Sequence, residues 1–343
     1  MKVLILTGLD KIEKSNNEFE RKFGTTNYLR ELTIHGLRKL YGHNIVDYPK
    51  SWGSYDKEVE LRGMSKEHLW GKGFNISGIN KDSNDIDRTD IKKKISKRYF
   101  DLIIFGELNY SLELLDYAKN YNNKIIFLDG NDTTSINKNL INSGIYFKRE
   151  LLKKNFENVF PISFSIPKEK IISKIETNIN NILSPLIPGI NSTYIYKAET
   201  EYNDMYKKSI FGITIKKEGW DCYRHYELLM NGCLPFFLDI KDCPDLTCIS
   251  LPKEKLIEIN LRFLKKISNN YKIQLNLKKF PNLAKSILYF KKYFFKESDT
   301  QEFLKKYPEI FDIKNELLNF SKNNLTTENT AKKMISTINN FYK

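Results

Sequence analysis

The chain has 343 residues, of which 41% are hydrophobic and 13% aromatic, a composition that excludes an intrinsically disordered protein and suffices for two cores. Lysines and arginines number 56 against 42 acidic residues, and the net charge of +14 favours anionic partners such as nucleotides, nucleic acid or acidic glycans. A simple lysine bias also fits this charge, because no single helix or arm collects it.

Cysteine usage and the amino terminus indicate a cytoplasmic protein. The four cysteines form no CxxC pair and have no histidine at zinc spacing, which predicts reduced thiols and no metal site. The apolar run in "MKVLILTGLDK" is too short for a signal peptide with a cleavage site. Nowhere does the sequence approach the ~20 apolar residues of a membrane span.

The first half of the chain alternates strand-like and helical patterns. Four compact apolar runs are typical of buried parallel strands: "KVLILTG", "HNIVDYP", "FDLIIFGEL" and "NKIIFLDG". Helices are predicted over "NYLRELTIHGLRKLYG", with Thr25 or Thr26 as the cap, and around "SLELLDYAKN". This order implies right-handed crossovers and predicts a Rossmann-like domain over residues 1–160.

Two stretches interrupt that alternation. Residues 51–90 are polar, contain glycines and lack strong periodicity, which predicts a long loop between sheet elements. Its segment "WGKGF", residues 70–74, has the aromatic residues to line an acceptor site, but an ordinary glycine-containing loop fits as well. Two prolines bracket a short strand pattern at residues 155–168, where we place the domain boundary.

The second half also alternates strand-like and helical patterns. "STYIY", the helical "ETEYNDMYKKS" and the helical "KEKLIEINLRFLKKI" flank a further strand–helix–strand unit, which predicts a second Rossmann-like domain over residues 161–325. Residues 326–343 are predicted to form an amphipathic docking helix behind a threonine cap. Its apolar stripe contains Ala331, Met334, Ile335, Ile338 and Phe341.

The unit "FGITIKKEGWDCYRHYELLMNGCLPFFLD", residues 211–239, combines a strand, a polar turn, a helix and a second strand. A helix capped by Asp221 carries Arg224, Glu227 and Asn231 on one face. The opposite face carries the apolar stripe of Cys222, Tyr226, Leu229 and Met230. The turn falls at the carboxyl end of a strand, where open α/β sheets bind their ligands.

Nucleotide chemistry fits this turn and helix. Lys216 and Lys217 lie near the helix start, which favours phosphate, and Arg224 is placed to reach a pyrophosphate with a forked donor. Glu227, one turn further, is placed to accept hydrogen bonds from ribose hydroxyls. A solvated ion pair between Arg224 and Glu227 on a wet helix face is the alternative, and spacing alone leaves it open.

The string "GWDCYRHYELLMNGCLPFFLDIKDCP" resembles the nucleotide-sugar-binding segment of exostosin-like glycosyltransferases of the GT-B type, over roughly residues 205–245. The matching positions are Arg224, Glu227, Gly232, Cys233, Pro235 and Asp239. The resemblance implies an α/β fold of two Rossmann-like domains facing across a cleft. It also implies a nucleotide-diphosphate sugar held mainly by the C-terminal domain, with no required metal or cofactor, and diphosphate and ribose contacts for Arg224 and Glu227 respectively.

The sequence thus predicts a glycosyltransferase that moves a sugar from a nucleotide-diphosphate donor to a glycan or another hydroxyl acceptor bound mostly by the N-terminal domain. The predicted donor-site residues are Lys216, Lys217, Gly219, Trp220, Asp221, Arg224 and Glu227. Glu107 and Asp129 end predicted strands and are candidate general bases, although strand-end acids also cap helices.

Alternatives stay open at this stage for the function and for the DxD. The +14 charge permits DNA as the acceptor, as for a transferase acting on hydroxymethylpyrimidine bases, or a non-catalytic nucleic-acid or glycan-binding module. The DxD formed by Asp85 and Asp87 fits either a metal site or a helix cap in an exposed turn. The dispersed histidines include His35, which fits a structural role, and His225, which points toward the apolar side of its helix.

Overall fold

A computed structural model describes residues 1–8, 27–55, 69–108, 112–121, 124–237, 239–270 and 297–343. The chain divides into two compact units. Unit 1 comprises Met1–Lys168, Pro244–Ser250 and Asn324–Lys343, and unit 2 comprises Glu169–Cys243 and Leu251–Asn323. Each unit contains its own parallel sheet with helices, so the fold is α/β and Rossmann-like.

The strands are short and almost entirely buried, as parallel strands covered on both faces must be. In chain order they are β1 Val3–Leu6, β2 Ile45–Tyr48, β3 Leu102–Phe105, β4 Ile125–Asp129, β5 Ile145–Lys148, β6 Val159–Pro161, β7 Asn181–Leu183, β8 Ser209–Thr214 and β9 Leu234–Phe237. The helices are α1 Tyr28–Tyr41, α2 Ile91–Ser96, α3 Leu115–Tyr121, α4 Lys138–Ile141, α5 Glu199–Lys207, α6 Tyr223–Met230, α7 Lys253–Asn270, α8 Glu297–Lys306, α9 Ile310–Asn324 and α10 Thr327–Phe341.

Unit 1 is organised around a six-stranded parallel sheet in the order β2-β1-β3-β4-β5-β6. The four strands predicted from apolar runs, β1 to β4, are confirmed. Strands β5 and β6 extend the sheet beyond them. Because β2 and β3 lie on opposite sides of β1, the strand order reverses between β1 and β3, and ligands of such sheets bind outside the carboxyl ends at this point.

Helix α10 packs along α1 and confirms the helix predicted at residues 326–343. Thr327 hydrogen-bonds His35, with 2.8 Å between Oγ1 and Nδ1, and a Cβ added to Gly36 would lie 2.2 Å from the Thr327 carbonyl oxygen. Gly36 therefore lets the two helices approach closely. Phe341 departs from the predicted stripe, because it is 42% exposed and meets Phe160 edge-on.

The start of α1 is set by Asn27, whose side chain accepts a hydrogen bond from the Arg30 amide. The predicted caps Thr25 and Thr26 lie outside the described residues. Part of the predicted loop at 51–90 is also outside them, but residues 69–90 contain a short 3₁₀ turn at Trp70–Gly73 and no strand within the described part.

Unit 2 contains a three-stranded parallel sheet in the order β7-β8-β9. Its strand β7 was not predicted, and the strand-like "STYIY" instead forms a 3₁₀ turn at Asn191–Thr193 followed by irregular chain. Tyr194 and Ile195 there are 38% and 67% exposed, so no sheet neighbour covers them. In the described part of the chain, no helix is both long enough and apolar enough for a bilayer crossing.

Candidate functional site

The turn between β8 and α6 carries the predicted phosphate-binding lysines. Lys216 and Lys217 are exposed, and the Lys216 amide donates to both carboxylate oxygens of Asp239 at 3.2 and 3.4 Å. Burial raises the pKa of the Asp239 carboxyl. Gly219 is buried, and its carbonyl accepts from the Lys217 amide at 3.1 Å. These bonds close the turn and hold it beside the segment that follows β9.

The predicted capping role of Asp221 is wrong. Helix α6 begins at Tyr223 after Cys222, and this N-cap makes no side-chain hydrogen bond. The Asp221 side chain is fully buried, and its Oδ1 accepts from the Tyr226 hydroxyl at 2.8 Å. A carboxylate removed from water needs such a donor, and this requirement places Asp221 inside the unit.

His225 fixes the turn to the sheet. Its Nε2 lies 2.7 Å from the Trp220 carbonyl oxygen and its Nδ1 lies 2.8 Å from the Thr214 hydroxyl. Because a carbonyl only accepts, Nε2 carries a proton and donates to Trp220. The ring stacks on Phe237 with centroids 4.1 Å apart. His225 is therefore a core histidine, in agreement with its predicted orientation toward the apolar side.

Trp220 and Arg224 lie at the two ends of this turn–helix junction. Lys216 Nζ lies 5.8 Å from the centroid of the Trp220 ring, which is half-buried. Arg224 is the second residue of α6 and donates through Nη2 to the Tyr194 hydroxyl at 3.0 Å. Its Nε is buried and has no hydrogen-bond partner among the residues that the structure describes. A guanidinium N–H in that situation is a strong donor for an incoming anion.

The charge of Arg224 persists despite its enclosure. Burial alone would lower the pKa of the guanidinium, but the oxygens of Tyr206, Tyr202 and Tyr194, followed by Glu227, raise it overall. Arg224 is therefore a fixed positive charge at the start of α6, where the helix dipole also favours an anion.

The Glu227 carboxylate is hydrogen-bonded by one of two packed tyrosines. Its Oε2 accepts from the Tyr202 hydroxyl at 2.6 Å, and Tyr202 packs edge-on against Tyr206 with centroids 5.0 Å apart. Burial raises the pKa of Tyr202, so the phenol stays protonated as a donor. Glu227 is only 7% exposed, which counts against a solvated ion pair with Arg224, because such a pair requires two side chains in water.

The other residues of the resembling segment shape the end of α6. Gly232 follows the helix with φ +64°, and a Cβ there would lie 2.5 Å from Ile175 Cδ1. Only glycine meets both conditions easily. Cys233 is buried, which raises the pKa of its thiol to about 12, and Pro235 lies within β9.

Asp129, a candidate base in unit 1, is surrounded by donors. Its Oδ2 accepts from the Tyr146 hydroxyl at 2.5 Å, and its Oδ1 accepts from the Asn131 amide and pairs with Lys148 Nζ, each at 3.0 Å. Burial lowers the pKa of the Lys148 ammonium. These three donors occupy the carboxylate, and the contacts give Asp129 a structural role at the end of β4.

Glu107 lies where the strand order reverses between β1 and β3. It follows β3, is 7% exposed, and accepts from Asn27 Nδ2 at 3.2 Å. Arg30 Nη1 lies 3.8 Å from its Oε2 and also donates to the Thr7 carbonyl at 3.2 Å. Thr7 follows β1, so the ends of β1 and β3 and the start of α1 meet around Glu107.

The sequence did not reveal the buried charged groups of α1 and β2. Arg30 and Glu31 are fully buried on α1 and bond each other at 2.7 Å. Asp47, near the end of β2, is also fully buried and accepts from Arg38, Arg88 and the Tyr55 hydroxyl. Apolar periodicity assigns charged residues to the surface, and the pairing of these charged groups with one another explains their burial.

The DxD of Asp85 and Asp87 lies in an exposed turn. Asp87 pairs with Lys94 at 2.7 Å and accepts from the amide and hydroxyl of Thr89. The hydrogen bond from Lys94 is the main cause of its lowered pKa. Within the described ranges, no group of three or more histidine, cysteine, aspartate or glutamate side chains is arranged to hold a metal ion.

Comparison with known proteins adds no relative. No protein-family model matches the chain, and no curated protein is significantly similar to it.

Proposed function

We propose that the protein is a glycosyltransferase whose unit 2 binds the nucleotide-diphosphate part of a sugar donor at the β8–α6 junction. The observation that carries this proposal is the Arg224 guanidinium, which is charged and half-buried and has one buried N–H without a partner in the described structure. It stands at a helix start that follows the carboxyl end of a parallel strand. This is the place where α/β sheets bind phosphate groups.

The neighbouring side chains fit the two halves of such a ligand. Lys216 and Lys217 are exposed in the turn and would neutralise a diphosphate together with Arg224. Glu227 would accept from ribose hydroxyls, while Tyr202 holds the carboxylate in place. Gly219 and Trp220 line the same turn.

In the proposed reaction the bond between the anomeric carbon and the diphosphate oxygen breaks, and a bond to the acceptor oxygen forms. Negative charge grows on the departing diphosphate, where Lys216, Lys217 and Arg224 would stabilise it, an effect commonly worth several kcal/mol. The acceptor oxygen loses a proton. For an inverting reaction, Glu107 is the proposed base, because it follows β3 where the strand order of the sheet reverses.

The exostosin-like GT-B architecture is part of the same proposal. Two Rossmann-like sheets are present, and the GT-B arrangement assigns the donor to the C-terminal one and a glycan or other hydroxyl acceptor to the N-terminal one. By the same resemblance, the reaction is expected to need no metal and no cofactor besides the donor.

Calorimetric titration tests the donor site. Wild-type protein is titrated with the diphosphates of uridine, guanosine, adenosine, cytidine and thymidine, and the best ligand is repeated with Arg224→Gln and Glu227→Gln. We expect each substitution to weaken the diphosphate roughly ten- to a hundredfold. Arg224→Gln should leave the free nucleoside unaffected. Glutamine is chosen at 227 because it preserves the acceptor for Tyr202.

Two matched variants serve as controls in unit 2. Arg262 pairs with Glu309 in an exposed ion pair, and Glu316 pairs with Lys255 at 3.0 Å on the surface. Arg262→Gln and Glu316→Gln change the same charges and should bind as the wild type does. Wild-type affinity in both site variants would disprove the assignment. No binding of any nucleotide diphosphate or its sugars would favour the non-catalytic binding module, and transfer to hydroxymethylated DNA but not to glycans would favour the DNA-base enzyme.

A further inference from the structure

A lysine-lined groove lies on unit 1, apart from every residue of the proposed transferase site. It has a volume of about 610 Å³ and runs between the last turns of α1 and α10. The lining residues are Tyr41, Lys124, Lys332, Ile335, Ser336, Asn339, Asn340, Tyr342 and Lys343. Ile335 is buried beneath it, and the lysine and asparagine side chains are exposed.

The charge of this groove has one sign. Three ammonium groups line it, and none of these nine described residues has an acidic side chain. Helices α1 and α10 both end here, and their dipoles contribute roughly half a negative charge each. The three ammonium groups outweigh these partial charges, which favours phosphates over a neutral ligand.

The uncharged lining adds a second kind of recognition. Tyr41 and Tyr342 are half-buried, and Lys124 Nζ lies 5.9 Å from the centroid of the Tyr342 ring. Proteins that bind single-stranded nucleic acid stack its bases on aromatic rings and contact its phosphates with basic side chains. The Asn339 and Asn340 amides supply donors and acceptors for base edges. An acidic peptide or an inorganic polyphosphate would use the lysines but not this combination.

We propose that the groove binds the backbone and bases of single-stranded nucleic acid. Its position gives it a tethering role rather than a catalytic one. Lys124 immediately precedes β4, whereas Asp129 ends that strand, so the groove lies at the amino edge of the sheet. The carboxyl edge is about 16 Å away at 3.3 Å per residue. This inference does not rest on the transferase proposal, since it uses no residue of unit 2.

Fluorescence anisotropy with a labelled oligothymidylate of about 12 nucleotides provides the test. We expect the double variant Lys124→Gln/Lys332→Gln to lose roughly tenfold or more in affinity at about 50 mM KCl. The slope of log K against log salt should become shallower by about 1.4, or 0.7 for each lost contact. Tyr41→Leu should weaken binding at least fivefold through lost stacking, with the slope unchanged.

The control is Lys92→Gln/Lys93→Gln, which removes two exposed lysines from α2 in the same unit. It lowers the net charge equally and should retain the wild-type affinity and slope. Circular dichroism and melting of each variant verify that the fold is kept. An equal loss in the control would show that the overall charge, and not the groove, determines binding. An absence of oligonucleotide binding by the wild type would also overturn the proposal. Equal competition by inorganic polyphosphate of the same charge would overturn the nucleic-acid assignment.

Discussion

We expect Lys314→Met to remove a pH dependence of stability that the wild-type unit 2 has above pH 8. Lys314 lies on α9, is 1% exposed, and donates through Nζ to the Ser209 carbonyl at 2.9 Å. Burial lowers the pKa of this ammonium from 10.5 to about 8 in the folded chain. The nearby Cys233 thiol, with a pKa of about 12, stays neutral over that range.

The sign follows from proton binding. Between the folded pKa of about 8 and the unfolded value of 10.5, the unfolded chain binds more protons, so stability rises with pH. Below pH 8 the buried charge costs about 3 kcal/mol in full. Methionine does not titrate, but it leaves the Ser209 carbonyl without its donor, at a cost of about 1–3 kcal/mol. The variant should therefore match or exceed the wild type at neutral pH.

Urea unfolding of the full-length chain measures this difference. Trp220 is the unit 2 reporter when Trp52 and Trp70 are replaced by phenylalanine in every protein compared. From about pH 7 to about pH 9.5, the free energy of unfolding of the Lys314 protein should rise by about 2 kcal/mol relative to Lys314→Met. Lys322→Met is the control, because Lys322 also donates from α9 to a backbone carbonyl, that of Ser173, at the surface. Parallel curves for Lys314→Met and its parent would refute the buried-charge reasoning.

Three further outcomes are expected. Gly36→Ala should destabilise unit 1 by about 2 kcal/mol or more in thermal melting, because its Cβ would lie 2.2 Å from the Thr327 carbonyl oxygen and force α10 outward; an unchanged melting temperature would contradict the close packing. Tyr146→Phe should cost about 1.5–3 kcal/mol by removing a donor to the buried Asp129 carboxylate, and a loss below 0.5 kcal/mol in urea unfolding would show the bond to be dispensable. Donor hydrolysis or transfer should survive EDTA, whereas its abolition by EDTA and restoration by manganese would speak against the GT-B proposal.

The sequence predicted those parts of the fold that apolar runs encode directly. Strands β1 and β3, and β4 up to its last residue Asp129, are uninterrupted aliphatic and aromatic stretches, and burial on both faces requires that pattern. Strand β5 was not predicted, because its last residue Lys148 resembles a surface lysine until its pairing with Asp129 is known. "STYIY" has strand-like residues but no neighbouring strand. Composition describes a residue's preference, whereas a sheet requires a partner.

The candidate donor site shows the same limit. The strand, turn and helix were predicted in the right order, and Arg224 and Glu227 lie on the same helix as expected. The burial of Glu227 depends on Tyr202, which lies 25 residues earlier in the chain, and no local pattern connects them. Asp221 was expected to cap α6 for a similar reason, since its actual partner Tyr226 becomes visible only when the helix start is known.

The discontinuity of unit 1 has a consequence for biosynthesis. The surface of α1 that carries Gly36 and His35 packs against α10 in the described part of the chain, yet roughly 160 residues separate the end of the first segment of unit 1 from Thr327. At roughly 5–20 residues per second, a ribosome needs about 8–30 s to deliver that helix. During this interval the nascent chain exposes the face of α1 that packs against α10 in the folded unit. Chaperone binding to nascent chains should therefore cease once α10 has left the ribosome.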